Sequence, residues 1–320
     1  MKKIRLIAAL LLAFILIIGF KCYFELNKIN HIKIDRTNEA LGINEVFEDN
    51  HENKATSTNA DRKDIISIAL FGLDGAYENS RSDSIMILTI DFNNKKVKLI
   101  SLMRDMYISI EGYDKTKLNH AYAYGGAELA IKTINQNFGT DIKNYAAVNF
   151  YSLEKIIDIL GGVSIEIKKE EIPHINNNLL TKNGSNNEIT VEGKQLLNGN
   201  QALAYARVRY LGNGDFDRTE RQRKIIAEIL NSAKEKGVTD LLKLIEEILP
   251  LIETSMDKQT IVKLSIDYLK AGKMTFEQER FPIDSYCLND MIDGIYYLKF
   301  DEEITKKQIM NYIYYDEKAE

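Results

Sequence analysis

The stretch DIISIALFGLDGAYENSRSDSIMILTID, residues Asp64–Asp91, decides the fold. Its first half is a β-branched apolar run ending in Gly72 and a glycine-flanked loop, the composition of a buried strand. Its second half, Ser84–Asp91, reads as another strand. The turn FNNK (Phe92–Lys95) separates that strand from a third, KVKLISLMRD (Lys96–Asp105).

Working outward, strands and helices alternate. In GGAELAIKTINQNFG (Gly125–Gly139), Leu129, Ala130, Ile134 and Phe138 recur at helical spacing, and Gly139 is a fitting stop. YAAVNF is a strand, YSLEKIIDIL a helix closed by Gly161-Gly162, VSIEIK a strand, and NGNQALAYARVR a further helix. A longer helix is predicted from about Thr219 to Lys236, with others over Thr239–Ile252 and Lys258–Leu269, and GIYYLKFDE is a late strand. The pattern predicts an α/β fold, an αβα sandwich with a central mixed β-sheet, over residues 63–320.

The first residues stand apart. MKKIRLIAALLLAFILIIGFKCYF places basic residues before an apolar run from Leu6 to Phe20. Fifteen helical residues span only about 22 Å of a bilayer core of about 30 Å, but snorkelling of Arg5 and Lys21, with Tyr23 and Phe24 at the interface, extends the reach. No small-x-small cleavage site follows Phe20, so residues 1–24 read as a cytoplasmic tip and a single N-terminal transmembrane helix, a signal anchor with the N-terminus inside. Residues 25–62 are polar and irregular and read as an extracellular stalk, the alternative being a short helix over Ile29–Phe47 packed on the domain.

Composition narrows the chemistry. A formal net charge of −5 argues against a general nucleic-acid binder. Two cysteines, Cys22 and Cys287, and four scattered histidines give no zinc site and little support for a Ser-His-Asp or Cys-His nucleophile. That leaves carboxylates, arginines and a hard metal. Against thirty-one lysines the chain has eleven arginines, and five of these (Arg207, Arg209, Arg218, Arg221, Arg223) fall in ARVRYLGNGDFDRTERQR, Ala206–Arg223. Arg207 and Arg209 share a face only if the backbone between them is extended. Asp217 and Glu220 make a plausible N-terminal capping pair, which puts Arg218 in a first helical turn with Gln222 on its face. Converging guanidinium groups at a helix start suit phosphate; a surface salt-bridge lattice is the plainer alternative.

Two other strand ends contribute. Asp74 ends the first strand, and Arg81 and Asp83 precede the second; two such aspartates suit a hard ion such as Mg²⁺, unless Asp74 merely caps a turn and Asp83 pairs with Arg81. Arg104 and Asp105 end the third strand, ahead of Lys117 and Asn119, the plainer alternative being a solvated loop with a structural Arg–Asp pair.

RSDSIMILTID, KLNHAYAYGGAELAIKTIN, VNFYSLEKIIDILGGVSIEI, LNGNQALAYARVR and DFDRTERQR together resemble the landmarks of the LytR-CpsA-Psr family of bacterial cell-wall ligases, in its order. The resemblance implies Asp74 and Asp83 as ligands of Mg²⁺ (or Mn²⁺). It implies Arg81, Arg104, Arg207, Arg209 and Arg218 as catalytic pyrophosphate-binding arginines, with Lys117, Asp215 and Gln222 in substrate binding; Arg221, near the same helix face, reads as a further substrate-binding residue. This chain departs from the family with Met103 in place of a proline before Arg104, and Asp217 in place of a glycine before Arg218. The implied function is transfer of an anionic glycopolymer (teichoic acid or capsular polysaccharide) from an undecaprenyl-pyrophosphate carrier to a peptidoglycan hydroxyl. The implied setting is the outer face of the cell membrane of a Gram-positive-type bacterium, with the polyprenyl tail in an apolar tunnel. A lipid-binding regulator and a lipid pyrophosphatase are the alternatives; neither tunnel nor solid core is distinguishable in the sequence.

Overall fold

The structure is a computed structural model and describes residues 29–44, 64–75, 80–179, 187–234, 244 and 247–319. The expected anchor, residues 1–24, lies outside them; among the described residues no helix is long and apolar enough to cross a membrane.

In chain order the strands are β1 (Asn30–His31), β2 (Ile65–Leu73), β3 (Ser82–Asp91), β4 (Lys96–Leu102), β5 (Tyr107–Ile108), β6 (Thr116–Lys117), β7 (Asn144–Asn149), β8 (Val163–Ile167), β9 (Gly193–Leu197), β10 (Glu253–Thr254), β11 (Thr275–Phe281), β12 (Cys287–Ile292) and β13 (Ile295–Phe300). The α-helices used below are α1 (His120–Phe138), α2 (Phe150–Leu160), α3 (Ile172–Asn178), α4 (Gly199–Ala206), α5 (Asp215–Lys234), α6 (Lys258–Ala271) and α7 (Glu302–Tyr314). Seven strands form the central sheet in the order β1-β10-β7-β2-β3-β4-β11. β2–β3–β4 is an antiparallel meander, while β7 joins β2 and β11 joins β4 in parallel, so the sheet is mixed, as the alternating pattern predicted.

Strand alternation sorts the side chains. Ala69, Phe71, Leu73, Ile85, Ile87, Ile100 and Leu102 pack with α1 and α7 in the main core. On the opposite face lie α2, α4 and α5, which build a second cluster around Ile157, Tyr205 and Ile225. Asn149 caps α2 by accepting from Ser152 N, and Asn198 with Gln201 forms a capping box on α4. Between these helices and the sheet a cavity of about 640 Å³ remains open, lined by Leu70, Met86, Val148, Ile156, Leu203, Ile226 and Ile229 among others. Here the core is hollow.

Several elements differ from the sequence reading. Residues 29–44, read as stalk, pack on the domain: β1 adds to the sheet beside β10, and Leu41 is buried in the main core with its carbonyl accepting from Asn135 Nδ2. The helix expected to Ile252 ends earlier, since Leu249–Leu251 is a single 3₁₀ turn and Ile252 is extended; most of that segment lies outside the described residues. The helix of the arginine-rich stretch begins at Asp215, not Thr219. Asp217 therefore sits inside the first turn and accepts from Asn213 N, while Glu220 pairs with Lys224, so no capping pair forms. β11 escaped notice because TFEQERF is an edge strand whose polar residues hide its period.

α2 and α4 meet at Gly199, where a Cβ would stand 2.2 Å from the Glu154 carbonyl oxygen. Gly199→Ala is expected to push these helices apart and cost about 1–3 kcal/mol, read from the urea unfolding midpoint.

Candidate functional site

The site forms where β2 and β3 end at the rim of the cavity. Along β3, Ile85 and Ile87 face the main core, and strict alternation would send Asp83 there too. It does not go there. The pairing register shifts between Gly72, opposite Ser84, and Leu73, opposite Ser82, so Asp83 is the extra residue of a β-bulge and lines the cavity with Asp74. Gly72 tolerates the close approach: a Cβ there would lie 2.9 Å from Ser84 Cβ.

Around Asp83 the arginines converge from three segments. Arg104, at the end of β4, donates to Asp83 Oδ1 through a very short contact, and Arg209 Nη2 lies 3.4 Å from Oδ2. From the first turn of α5, Arg218 Nη2 donates to the Asp83 carbonyl at 3.3 Å and to Asp215 Oδ2 at 2.9 Å. α4 ends at Ala206, which releases the backbone so that both Arg207 and Arg209 line the cavity; Arg207 also stacks over Phe150 at 5.3 Å. On the outer side Arg81 is exposed and holds Asp74, with both its backbone N–H and its guanidinium donating to the carboxylate. Arg104 Nε is 3.4 Å from Asp105 Oδ2, and Asp105 in turn accepts from Lys117 Nζ at 2.6 Å. Lys117 is thus tied to the site through a shared carboxylate.

Charge accounts for what this mouth can hold. Burial alone would raise the Asp83 carboxyl, but Arg104, Arg218 and Arg209 outweigh it and hold the group below the ordinary carboxylate range. Arg218 is 2% exposed; burial, together with Arg104 and Arg209, pushes it down to about 10 against the pull of Asp215, so it stays charged at neutral pH. Its Nε has no hydrogen-bond partner, and neither does Oε1 of Gln222, another cavity-lining residue. Five guanidinium groups (Arg81, Arg104, Arg207, Arg209, Arg218) meet three carboxylates (Asp74, Asp83, Asp215), an excess of positive charge at the mouth of an apolar cavity. Such a site fits an amphipathic anion with a phosphate head and a hydrocarbon tail.

The carboxylates that could take a hard cation are Asp74 and Asp83, whose oxygens here accept from Arg81, Arg104 and Arg209. Asp74 and Asp83 line the same rim, and Mg²⁺ is commonly held by one or two carboxylates with phosphate oxygens and water completing the shell. Among the described residues no cluster of three or more His, Cys, Asp or Glu side chains is placed to hold a metal ion.

One expected residue does not reach the mouth. Arg221 turns inward, donating to Glu171 Oε1 at 2.9 Å and to the Val208 carbonyl at 3.3 Å, with its guanidinium over Tyr205. It is a buried ion pair tying α5 to the segment before α3. Arg223 is buried as well, so the arginine-rich stretch divides: Arg207, Arg209 and Arg218 serve the mouth, the other two the packing. Two rim residues were missed. His120 opens α1, with the pKa of its imidazole lowered by burial and by Lys117 and Arg81, and the ring centroid of Tyr296 on β13 lies 5.5 Å from Lys117 Nζ. Only the motif KLNHAYAY hinted at His120; nothing in GIYYLKF marked Tyr296.

Comparison with known proteins gives a consistent result. The LytR_cpsA_psr family model matches residues 31–312. The polyisoprenyl-teichoic acid–peptidoglycan teichoic acid transferase TagU of Enterococcus faecalis is 31% identical over 324 residues, 96% of this chain and 97% of its own. The regulatory protein MsrR of Staphylococcus aureus is 34% identical over 254 residues, 78% of this chain and 74% of its own. A solved structure of TagT bound to LIIa-WTA superposes with a TM-score of 0.65 at 25% identity, covering 78% of this chain and 91% of that one.

The charge network sets a pH dependence. Because the folded-state pKa of Asp83 is depressed below its ordinary value of 3.8, its stabilising contribution is complete above that value and is lost as pH falls below it toward the folded pKa. Urea unfolding followed between pH 6 and 2 should show this loss, and Asp83→Asn should remove that part of the slope.

Proposed function

This chain belongs to the LytR-CpsA-Psr family, and from that premise we propose that it is a membrane-anchored transferase moving a glycopolymer from a polyprenyl-pyrophosphate carrier to peptidoglycan. The observation that carries the reading is the continuity of the arginine mouth with the apolar cavity, which matches the two halves of such a carrier. The TagU relative is named a polyisoprenyl-teichoic acid–peptidoglycan teichoic acid transferase, and the TagT neighbour holds LIIa-WTA; these support an anionic wall polymer of the teichoic acid class as the cargo on a polyprenyl carrier. The family resemblance adds undecaprenyl as that carrier. The apolar run Leu6–Phe20 would anchor the chain, leaving the domain outside the cell.

In the proposed mechanism the polyprenyl tail occupies the cavity and the pyrophosphate sits against Arg81, Arg104, Arg207, Arg209 and Arg218. A hydroxyl of the acceptor attacks the phosphorus next to the sugar. The bond from that phosphorus to the bridging oxygen breaks, and polyprenyl phosphate leaves. The hydroxyl gives up its proton as the new bond forms, and Asp215 is the mouth carboxylate at hand to take it. Phosphoryl transfer of this kind needs no nucleophilic side chain, since fixed positive charge stabilises the transition state in a site already organised to receive it. Arg218 suits that role because α5 and Asp215 hold it rigidly and its Nε is left without a partner. Asp74 and Asp83 would hold Mg²⁺ (or Mn²⁺), which supplies further charge neutralisation on the phosphate oxygens.

The name of the MsrR relative favours one second reading, a regulator that binds the lipid without turnover. One assay separates the two. The full chain is given a lipid-linked glycopolymer, Mg²⁺ and peptidoglycan oligomers, and linked product is measured. The native chain is expected to form it, EDTA to abolish it, and Arg104→Ala or Arg218→Ala each to lower kcat on the order of 100-fold or more. Tight lipid binding with no product from the native chain would replace the transferase by the regulator. Arg221→Ala should instead lower stability, by about 3–5 kcal/mol, because it leaves Glu171 buried and unpaired.

A further inference from the structure

The cavity lies on one face of the sheet, and the rim residues that sequence reading missed lie toward the other. α1 packs on the main-core face, with Tyr122 against Phe71 at 5.1 Å. From its first turns His120 and Tyr124 rise at the rim, with ring centroids 5.7 Å apart, and Tyr124 stacks on Tyr113 at 4.3 Å and 18°. Tyr124 and Tyr113 are nevertheless 44% and 50% exposed, so this stack is not part of a core. The double glycine after Tyr124 breaks the helix, Gly126 standing at φ 61°, and ends the regular face there. Across Lys117 lies Tyr296, 38% exposed. Burial first, then Asp105 and Asp215, raise its phenol, as befits a ring at the edge of this charge network.

Tyr296, Lys117, His120, Tyr124 and Tyr113 thus succeed one another along a strip that meets the arginine mouth at Tyr296, Lys117 and His120. We infer that this strip binds the acceptor, a peptidoglycan glycan strand, on the side of the mouth opposite the lipid cavity. The inference rests on the transferase reading above and adds the place of its second substrate. In-line displacement supplies the geometry. The leaving group is the polyprenyl phosphate, whose tail points into the cavity, so the attacking hydroxyl must approach from the far side. Chemistry supplies the match. The C–H faces of pyranose rings stack on exposed aromatic faces, tyrosine gives a flat amphipathic surface for them, and Lys117 and His120 offer polar contacts to sugar hydroxyls. A strip, unlike a pocket, also accepts a polymer that runs on in both directions.

The test separates donor from acceptor. Transfer by the full chain in detergent is measured with the lipid-linked donor and uncross-linked peptidoglycan oligomers, each varied in turn. Tyr124→Ala and Tyr296→Ala are each expected to raise the acceptor KM about tenfold with the donor KM within about twofold, while Tyr124→Phe, which keeps the ring, behaves as native. Tyr124→Leu keeps the bulk without the flat face and should resemble Tyr124→Ala. Binding of the oligomer without donor, by calorimetry, should weaken by the same factor. An unchanged acceptor KM in folded variants, or equal rises in both KM values, overturns the strip as an acceptor site. If the native chain binds the oligomer through these tyrosines yet forms no product, the strip stands and the transferase reading falls.

Discussion

Guanidinium groups repel one another, and an arginine as buried as Arg218 requires anions to hold it. Asp83 and Asp215 are those anions. Asp83 takes Arg104 and Arg209 on its carboxylate and Arg218 on its carbonyl, while Asp215 bridges Arg218 and Arg104. Through them the ends of β3, β4 and α5 and the loop after α4 are bound at one point. The β-bulge that turns Asp83 away from the core is therefore the constraint on which the mouth depends.

The hollow lies beneath the same arrangement. Rim arginines reach into the helix layer, Arg207 over Phe150 of α2 and Arg218 in α5, and across the hollow apolar side chains such as Leu70, Met86 and Ile226 line space instead of filling it. Empty apolar volume gives up dispersion contacts, and a lipid tail would restore them. Head and tail recognition are thus parts of one structure, the charged end set by strand termini and the apolar end by helix spacing.

Much of this was legible in the sequence. The β2–β3–β4 meander announced itself through β-branched runs and the FNNK turn, and Arg207, Arg209 and Arg218 stood out as scarce residues gathered in one stretch. What was hidden is long-range. Arg221 reads like its neighbours, yet a distant Glu171 draws it into the core. The bulge at Asp83 is a register event between two strands and leaves no local mark. Leu41 looks like an isolated apolar residue in a polar stalk until Asn135 and the main core receive it. Whether helices enclose a cavity or a solid core depends on their spacing, which periodicity does not encode.

If mouth and cavity form one site for a polyprenyl pyrophosphate, a direct binding measurement shows it. Calorimetric titration of the full chain would compare geranylgeranyl pyrophosphate with inorganic pyrophosphate and with geranylgeraniol. If head and tail are recognised together, the intact lipid binds at least about 100-fold more tightly than either fragment, and raising the salt concentration weakens the intact lipid and pyrophosphate but not the alcohol. Inorganic pyrophosphate binding as tightly as the lipid would contradict the account, because the cavity would then contribute nothing.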